Sequence, residues 1–417
     1  MIQPRTLAMV FATILLAGCG GAATPASTAP ASPALSPAAS AAAAKPSASA
    51  PAVSAAASVS AKPAASAAAK PAGEPYKIGV AFPLTGPLAA FGGNILPGVQ
   101  IATDDINRSG GIQGHPIQLV SEDTKGTPEA GVAAMRKMVE IDKVPVVITI
   151  FTNVVTAQLP LADQLKVPIV TTTESPGLMA NSPWAFAHAP TYTLTAPLLQ
   201  AEWKAVGAKR LFAFYPNNAI AELFAPVNKK VAQELGAAYD EARFNLGSTD
   251  FRGLLARAKD FNPDAIVING QCTADEGAIM KQARELGIKA PFYQGSACFT
   301  EKSWRDSVGA ASEGMVYSGF VLDKNKAQPV IDAYKAKLGY EPSYATIEMY
   351  DVVQMIKHAV EENGYNAEGI RKGLISLKDF PSAGGGAITM ADDHQSRPTV
   401  ALYKIQNGAA VAIKPGG

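Results

Sequence analysis

The sharpest break in this sequence lies at residue 74, where a stretch of alanine, proline and serine gives way to mixed sequence. From Gly20 to Gly73 these three residue types dominate, and neither an acidic nor an aromatic residue occurs. Such a composition buries too little apolar surface to offset the entropy lost when a chain becomes ordered. We therefore predict a disordered stalk at 19–73 and a folded region that begins at Glu74.

The first 18 residues have the features of an export signal. Arg5 is their only charged residue, and the apolar run that follows, Leu7 to Leu16, is too short to span a bilayer. Small residues then precede Cys19, as at the cleavage site of a lipoprotein. We predict a signal peptide at 1–18, lipid on Cys19, and an extracytoplasmic protein held at the membrane by that lipid, because more than one acyl chain gives stable anchoring.

The charge of the folded region excludes one class of partner. The chain has 36 basic and 35 acidic residues, and four of the basic residues precede Glu74. The folded region is therefore slightly acidic. It has no basic stripe of the kind that binds nucleic acid, so we predict no nucleic-acid partner.

The folded region alternates apolar runs with helical patterns, which is typical of parallel β-α-β units. The predicted strands are Tyr76 to Phe82, Ile117 to Glu122, Val144 to Ile150, Val167 to Thr171, Arg210 to Tyr215, Tyr239 to Phe244, Ala265 to Asn269 and Pro291 to Gln294. The helices predicted between them include Glu129 to Val139, Ala221 to Leu235 and Asp275 to Leu286. Open α/β sheets bind ligands at the carboxyl ends of their strands, so we expect a site in the loops that follow these runs.

Several segments carry a resemblance to a known family. They are Ile78 to Pro87, Ala90-Phe91-Gly92, Gly110 to Gly114, Gln282 to Gly287, Pro342-Ser343 and Tyr350-Asp351. In this order and spacing they resemble the type I periplasmic solute-binding proteins of ABC transporters, in particular the leucine/isoleucine/valine-binding branch.

The resemblance implies an α/β fold of two Rossmann-like lobes with parallel central sheets, joined by a three-strand hinge. Lobe 1 would comprise 74–193 and 322–380, and lobe 2 would comprise 194–321 and 381–417. The crossings would lie near 190–195, 321–323 and 380–384. Hinged closure of such lobes is a known way to enclose a ligand.

The resemblance also implies which residues contact the ligand. Phe91 would cover it, while Thr152, Asn153, Thr173 and Ser175 would offer hydroxyl and N–H groups to a carboxylate. Further contacts would come from Ile220, Cys272, Ser296 and Tyr344.

Glu174 is unusual, because a carboxylate that faces the cleft needs a donor. It either turns outward or meets a donor on the ligand.

The second lobe departs from the pattern of the amino-acid binders. Tyr215 to Ile220 lacks the usual tyrosine-glycine pair, Cys272 replaces an aromatic residue, and Gly295 to Ala297 lacks the acid that holds an ammonium group. A buried ammonium without a partner is costly. We therefore favour a carboxylate or amide ligand with an apolar or aromatic body. A hydrophobic or branched-chain amino acid is the alternative, with Glu174 as the partner of its ammonium group.

Cys272 and Cys298 follow strands that should be neighbours, and an exported protein permits a disulfide between them. Two unpaired cysteines are the alternative. The sequence lacks the motifs of nucleophilic, metal or phosphate chemistry, so we expect no enzyme, cofactor or metal, and we interpret Asp392-Asp393-His394 as a solvated turn.

The predicted function is capture of a small-molecule ligand and its delivery to an ABC permease and ATPase complex. A receptor of the same fold that signals to a membrane partner is the alternative.

Overall fold

The computed structural model describes residues 71–417. The predicted signal peptide, Cys19 and the predicted stalk as far as residue 70 lie outside the described residues. The end of the predicted stalk is already tied to the folded region, because the N–H groups of Ala72 and Gly73 donate to the Gly114 carbonyl at 3.2 and 3.0 Å. In this part of the chain, no helix is both long and apolar enough to cross a bilayer.

The first sheet has five strands, which are all parallel. They are β1 (Tyr76–Phe82), β2 (Ile117–Asp123), β3 (Val147–Thr149), β4 (Ile169–Thr171) and β5 (Ala185–Ala187). Their spatial order is β2-β1-β3-β4-β5. All the carboxyl ends therefore lie along one edge.

The second sheet has seven strands. They are β6 (Arg210–Pro216), β7 (Ala238–Phe244), β8 (Ala265–Ile268), β9 (Phe292–Gln294), β10 (Val316–Phe320), β13 (Val400–Gln406) and β14 (Ala409–Ile413). The spatial order is β14-β13-β10-β9-β8-β6-β7. β13 pairs antiparallel with both β10 and β14, and the other neighbouring strands pair parallel. Two further strands, β11 (Phe380–Pro381) and β12 (Ala387–Ile388), form a separate antiparallel pair.

Helices connect and cover the two sheets. They are α1 (Ala89–Arg108), α2 (Pro128–Arg136), α3 (Thr152–Leu165), α4 (Tyr192–Ala205), α5 (Ala219–Glu234), α6 (Arg252–Phe261), α7 (Ala274–Glu285), α8 (Lys302–Val308), α9 (Lys324–Leu338), α10 (Tyr344–Asn363) and α11 (Ala367–Ile375). Because helices pack on both faces of a parallel sheet, its central strands are continuous apolar runs rather than alternating ones. Close packing also fixes Gly98 in α1, where a Cβ atom would collide with the Thr346 carbonyl of α10.

The predicted α/β class with parallel central sheets is confirmed, and each of the eight predicted strand segments contains a strand. Two differences concern the ends of elements. Within the segment predicted as the strand Val144 to Ile150, only the three residues of β3 form a strand. The predicted helix Glu129 to Val139 begins as α2 and continues as a π-helical turn, Lys137–Ile141.

The chain passes between the sheets after β5 and again after β10. The third passage comes later than predicted. Asp351 in α10 accepts hydrogen bonds from the Ser382 hydroxyl at 2.6 Å and the Ala383 N–H at 2.7 Å, which keeps this segment beside α10. Gln395 still pairs with Ala187 of the first sheet. The passage to β13 therefore follows residue 396, not 380–384, and the exact division of the chain into lobes stays a prediction.

Candidate ligand-binding site

One cavity lies where the carboxyl ends of both sheets meet. It encloses about 530 Å³ between protein atoms, including the part that opens to solvent. The residues from the first sheet's loops, with α1 and α10, form what we call the first side: Phe91, Ile150, Phe151, Thr152, Thr172, Thr173, Glu174 and Tyr344. The residues from the second sheet's loops form the second side: Ile220, Phe224, Asn269, Gly270, Gln271, Cys272 and Ser296.

The first side contains the amino end of α3. This helix begins at Thr152 directly after Phe151, and no side chain caps it. Phe151 has φ 74°, a backbone conformation that a bulky residue rarely adopts. The first N–H groups of a helix have no partner within the helix and carry a partial positive charge. This end of the cavity can therefore receive an anionic group.

Three hydroxyl groups cluster at the same helix end. The Thr152 Oγ1 lies 3.0 Å from Thr173 Oγ1 and 2.5 Å from Ser175 Oγ, and the last two atoms lie 2.9 Å apart. All three side chains are buried. Each hydroxyl can donate one hydrogen bond and accept two, so the cluster can turn its donors toward a ligand without losing every internal contact.

Glu174 faces the cavity beside this cluster. The Tyr344 hydroxyl donates to its Oε1 at 2.6 Å. Burial raises the pKa of Glu174 to about 8. The hydrogen bond from Tyr344 lowers this pKa, but by less than burial raises it. Buried Glu348 also has a pKa well above its usual range, first because of burial and then because of Glu174 and Asp351. Both acids therefore hold a proton more tightly than an exposed glutamate does.

The second side is mostly apolar. Ile220 and Phe224 lie one turn apart in α5 and form a wall, and the tilted rings of Phe91 and Phe151 face the cavity from the first side with centroids 5.2 Å apart. Asn269 lines the same wall, and its Oδ1 accepts a hydrogen bond from the Gly295 N–H at 3.0 Å. No lysine, arginine or histidine lines the cavity in the described part of the chain. A ligand with an apolar body and a polar head fits these surroundings.

A disulfide joins Cys272 and Cys298, with the Cα atoms 5.0 Å apart. Cys272 lines the cavity at φ 56°, and Cys298 is buried. Next to the disulfide, buried Glu276 accepts hydrogen bonds from the Gln294 side chain at 2.7 Å and from the Trp304 indole at 3.0 Å. The disulfide and this carboxyl group together fix the loops after β8 and β9.

The structure brings eight of the ten predicted contact residues to the cavity wall: Phe91, Thr152, Thr173, Glu174, Ile220, Cys272, Ser296 and Tyr344. Ser175 lies behind the wall within the hydroxyl cluster. Asn153 also does not line the cavity, and both ends of its side-chain amide are bonded to protein groups. Sequence analysis did not single out Asn269, Gln271 or Phe224, although Phe224 lies four residues after Ile220 on the same helix face.

The charged turn 392–394 lies apart from this cavity. Arg397 donates to Asp393 at 2.6 Å, and the ring of His394 stacks on Phe186. Within the described residues, no group of three or more histidine, cysteine, aspartate or glutamate side chains is arranged to hold a metal ion.

Two parallel-sheet halves with a cavity between their strand ends define a two-lobed binding protein. A family model described as periplasmic binding protein matches residues 75–410. The chain belongs to this family of extracytoplasmic solute-binding proteins.

The sequence identity to individual relatives is low. The Leu/Ile/Val-binding protein BraC3 of Rhizobium johnstonii is 27% identical over 362 residues, which cover 81% of this chain and 93% of that protein. The leucine-binding protein LivK of Thermotoga maritima has a TM-score of 0.74 at 25% identity, covering 81% of this chain and 99% of LivK. A third relative is LivJ of Streptococcus pneumoniae, a branched-chain amino acid transporter substrate-binding protein solved with isoleucine. It has a TM-score of 0.71 at 26% identity, and the match covers 82% of this chain and 100% of LivJ.

Proposed function

We propose that this protein captures a small carboxylate or carboxamide with an apolar or aromatic body and delivers it to an ABC permease and ATPase complex. The observation that carries the ligand class is the uncapped amino end of α3 beside the hydroxyl cluster of Thr152, Thr173 and Ser175. Such neutral donors hold an anion without a counter-ion. The rings and aliphatic groups opposite them would cover the ligand body, which contributes through burial of apolar surface.

A hydrophobic amino acid is the second candidate ligand. Glu174 favours it, because this acid lines the cavity and would ionise beside an ammonium group. The relatives LivK and LivJ are named for leucine and for branched-chain amino acids, which agrees with this candidate. The two candidates differ in one charge, so matched ligand pairs separate them.

A thermal-shift screen tests the proposal. The ligands are aliphatic acids, aromatic acids, their amides and amino acids, each added to the full-length protein. A ligand present at one hundred times its dissociation constant adds about 2.7 kcal/mol to the free energy of unfolding. We expect an acid or amide with an apolar body to raise the melting temperature. The alcohol with the same apolar body, which lacks the carboxylate or amide, should not raise it. The absence of a shift across all classes would contradict the proposal.

We also propose that lipid on Cys19 tethers the protein at the outer face of a membrane, on the pattern Leu16-Ala17-Gly18-Cys19. In cells, Cys19→Ser should leave a precursor that carries no lipid label. The same lipid labelling and membrane fractionation as wild type would contradict the anchor, whatever the ligand is.

A further inference from the structure

A chain of side-chain amides crosses from the second side to the first. It begins at Asn218, whose Oδ1 accepts from the Ile220 N–H at 3.0 Å and whose Nδ2 donates to Gln271 Oε1 at 3.3 Å. Gln271 Nε2 donates to Asn153 Oδ1 at 3.0 Å, and Asn153 Nδ2 donates to the Gly126 carbonyl at 2.8 Å. Each of the three amides thus uses both its oxygen and its nitrogen.

The central bond of this chain joins the two halves of the molecule. Gln271 follows β8 of the second sheet, and Asn153 is the second residue of α3, which follows β3 of the first sheet. Gln271 is only 4% exposed and lines the cavity, and Asn153 lies next to Thr152, which lines it as well. Separation of the halves would break this bond and leave two amides to water.

The neighbours of Gln271 in the chain fix its backbone in the position from which its side chain bonds to Asn153. The residue before it, Gly270, lies so close to the Glu276 carboxyl that a Cβ atom would collide with it. The residue after it, Cys272, has φ 56° and is joined to Cys298 by the disulfide. A group fixed in its bonding position loses little conformational entropy when the bond forms.

We infer that Asn153 and Gln271 are positioning residues that hold the two sides of the cavity together and slow the release of the ligand. This inference rests on the proposed function, and it assigns to Asn153 a role in closure rather than contact with the ligand. An intramolecular hydrogen bond contributes about 0.5–1.5 kcal/mol net, which corresponds to roughly a two- to tenfold change in a rate or equilibrium constant. The effect belongs in the dissociation rate, because differences among variants of one site arise mainly there.

The test compares N153A, Q271A and the double variant in the full-length protein, with 3-phenylpropanoate and L-leucine as probes in stopped-flow measurements. N153A should raise the dissociation rate by about two- to tenfold with a smaller change in the association rate. Q271A should raise it at least as much, because Gln271 also lines the cavity. The double variant should release the probe no faster than Q271A, since either substitution removes the same bond.

The matched control is N217A. Asn217 is exposed in the same loop as Asn218, and its amide contacts Asn245 within the second sheet's half at 3.4 Å. Its removal should leave the dissociation rate at the wild-type value. If N153A does not fold, Asn153→Ser replaces it in the same comparison. Unchanged release in N153A, or additive effects of N153A and Q271A, would overturn the inference.

A second readout needs no ligand. Hydrogen–deuterium exchange of the ligand-free protein should be faster in N153A than in wild type at the loop 270–273, on the far side of the cavity, and unchanged there in N217A. One outcome is that neither probe binds wild type although exchange at 270–273 is faster in N153A. That result would contradict the proposed ligand class and would still support the role of the amide chain. If exchange at 270–273 is the same in N153A and wild type, the amide chain does not hold the two sides together.

Discussion

The two sides of the cavity differ in how their polar groups are used. On the first side, hydroxyls, a helix end and a carboxyl group crowd together, and buried Glu348 behind them has no hydrogen-bond partner for either carboxyl oxygen among residues 71–417. On the second side, polar groups mostly bond to one another. Glu276 is surrounded by donors, and Gln271 is bonded at both ends.

This difference indicates a division of labour. Polar groups left with spare bonding capacity in a buried place cost free energy that a matching ligand can recover, so the first side would recognise the polar head. Polar groups that already bond one another stabilise a shape. The second side would therefore supply a rigid apolar wall and the contact that closes over the ligand.

The largest expected effect concerns the rigidity of the second side. The variant C272S/C298S, which removes the disulfide, should lower the free energy of unfolding by about 2–4 kcal/mol, because the cross-link restricts the unfolded chain. Urea unfolding measures it. Dithiothreitol should destabilise wild type by a similar amount and leave the double variant unchanged. Equal stability of the variant and wild type would show that the second side does not depend on the disulfide.

The next effect concerns recognition by the first side. T152A and T173A should each weaken the binding of a carboxylate ligand by roughly 1–3 kcal/mol, because a buried carboxylate oxygen loses its donor. T156A is the matched control, since Thr156 is exposed one turn further along α3 and its hydroxyl donates to the Thr152 carbonyl. Titration calorimetry compares the three variants. Equal losses in T156A and T152A would mean that α3 is perturbed as a whole and that the cluster does not bind the ligand directly.

The third effect is spread over several pH units, and it concerns the acid of the first side. Because the folded pKa of Glu174 is about 8 and the usual value is 4.5, the folded protein holds this proton more tightly than the unfolded chain does. The free energy of unfolding should therefore fall as pH rises from about 4.5 to 8, by less than about 1.4 kcal/mol per pH unit for one group. Tyr344 and Glu348 face this carboxyl, and the raised pKa of Glu348 acts in the same direction.

E174Q isolates this contribution, because glutamine does not titrate. Urea unfolding of E174Q and wild type between pH 5 and 8 should give a flatter curve for the variant. Parallel curves would show that Glu174 is ionised throughout this range and is free to pair with a ligand ammonium before binding.

The sequence predicts eight of the strands in the described residues, because most of them lie within continuous apolar runs. It does not reveal β5, whose three residues include two alanines and carry no periodic signal. The third passage between the sheets lies later in the chain than predicted for a similar reason. Hydrogen bonds to Asp351 and the pairing of Gln395 with Ala187 hold residues 381–396 beside the first sheet, and such distant partners leave no local pattern.

The candidate site shows the same limit at the level of single side chains. Strand ends locate the loops, so Thr152, Thr173 and Glu174 were within reach of sequence reasoning. Whether a side chain points into the cavity or bonds across it depends on packing between distant loops. Asn153 and Gln271 therefore had roles that the sequence did not distinguish.

Binding of three matched ligands tests the central claim most directly: 3-phenylpropanoate, L-phenylalanine and 3-phenylpropylamine, compared by titration calorimetry on the full-length protein. If the first side recognises a carboxylate through neutral donors, the acid binds most tightly, the amino acid less tightly, and the amine, which lacks the carboxylate, most weakly. Tighter binding of L-phenylalanine than of 3-phenylpropanoate would contradict this account and would show that Glu174 or another residue pairs with the ammonium group of an amino acid.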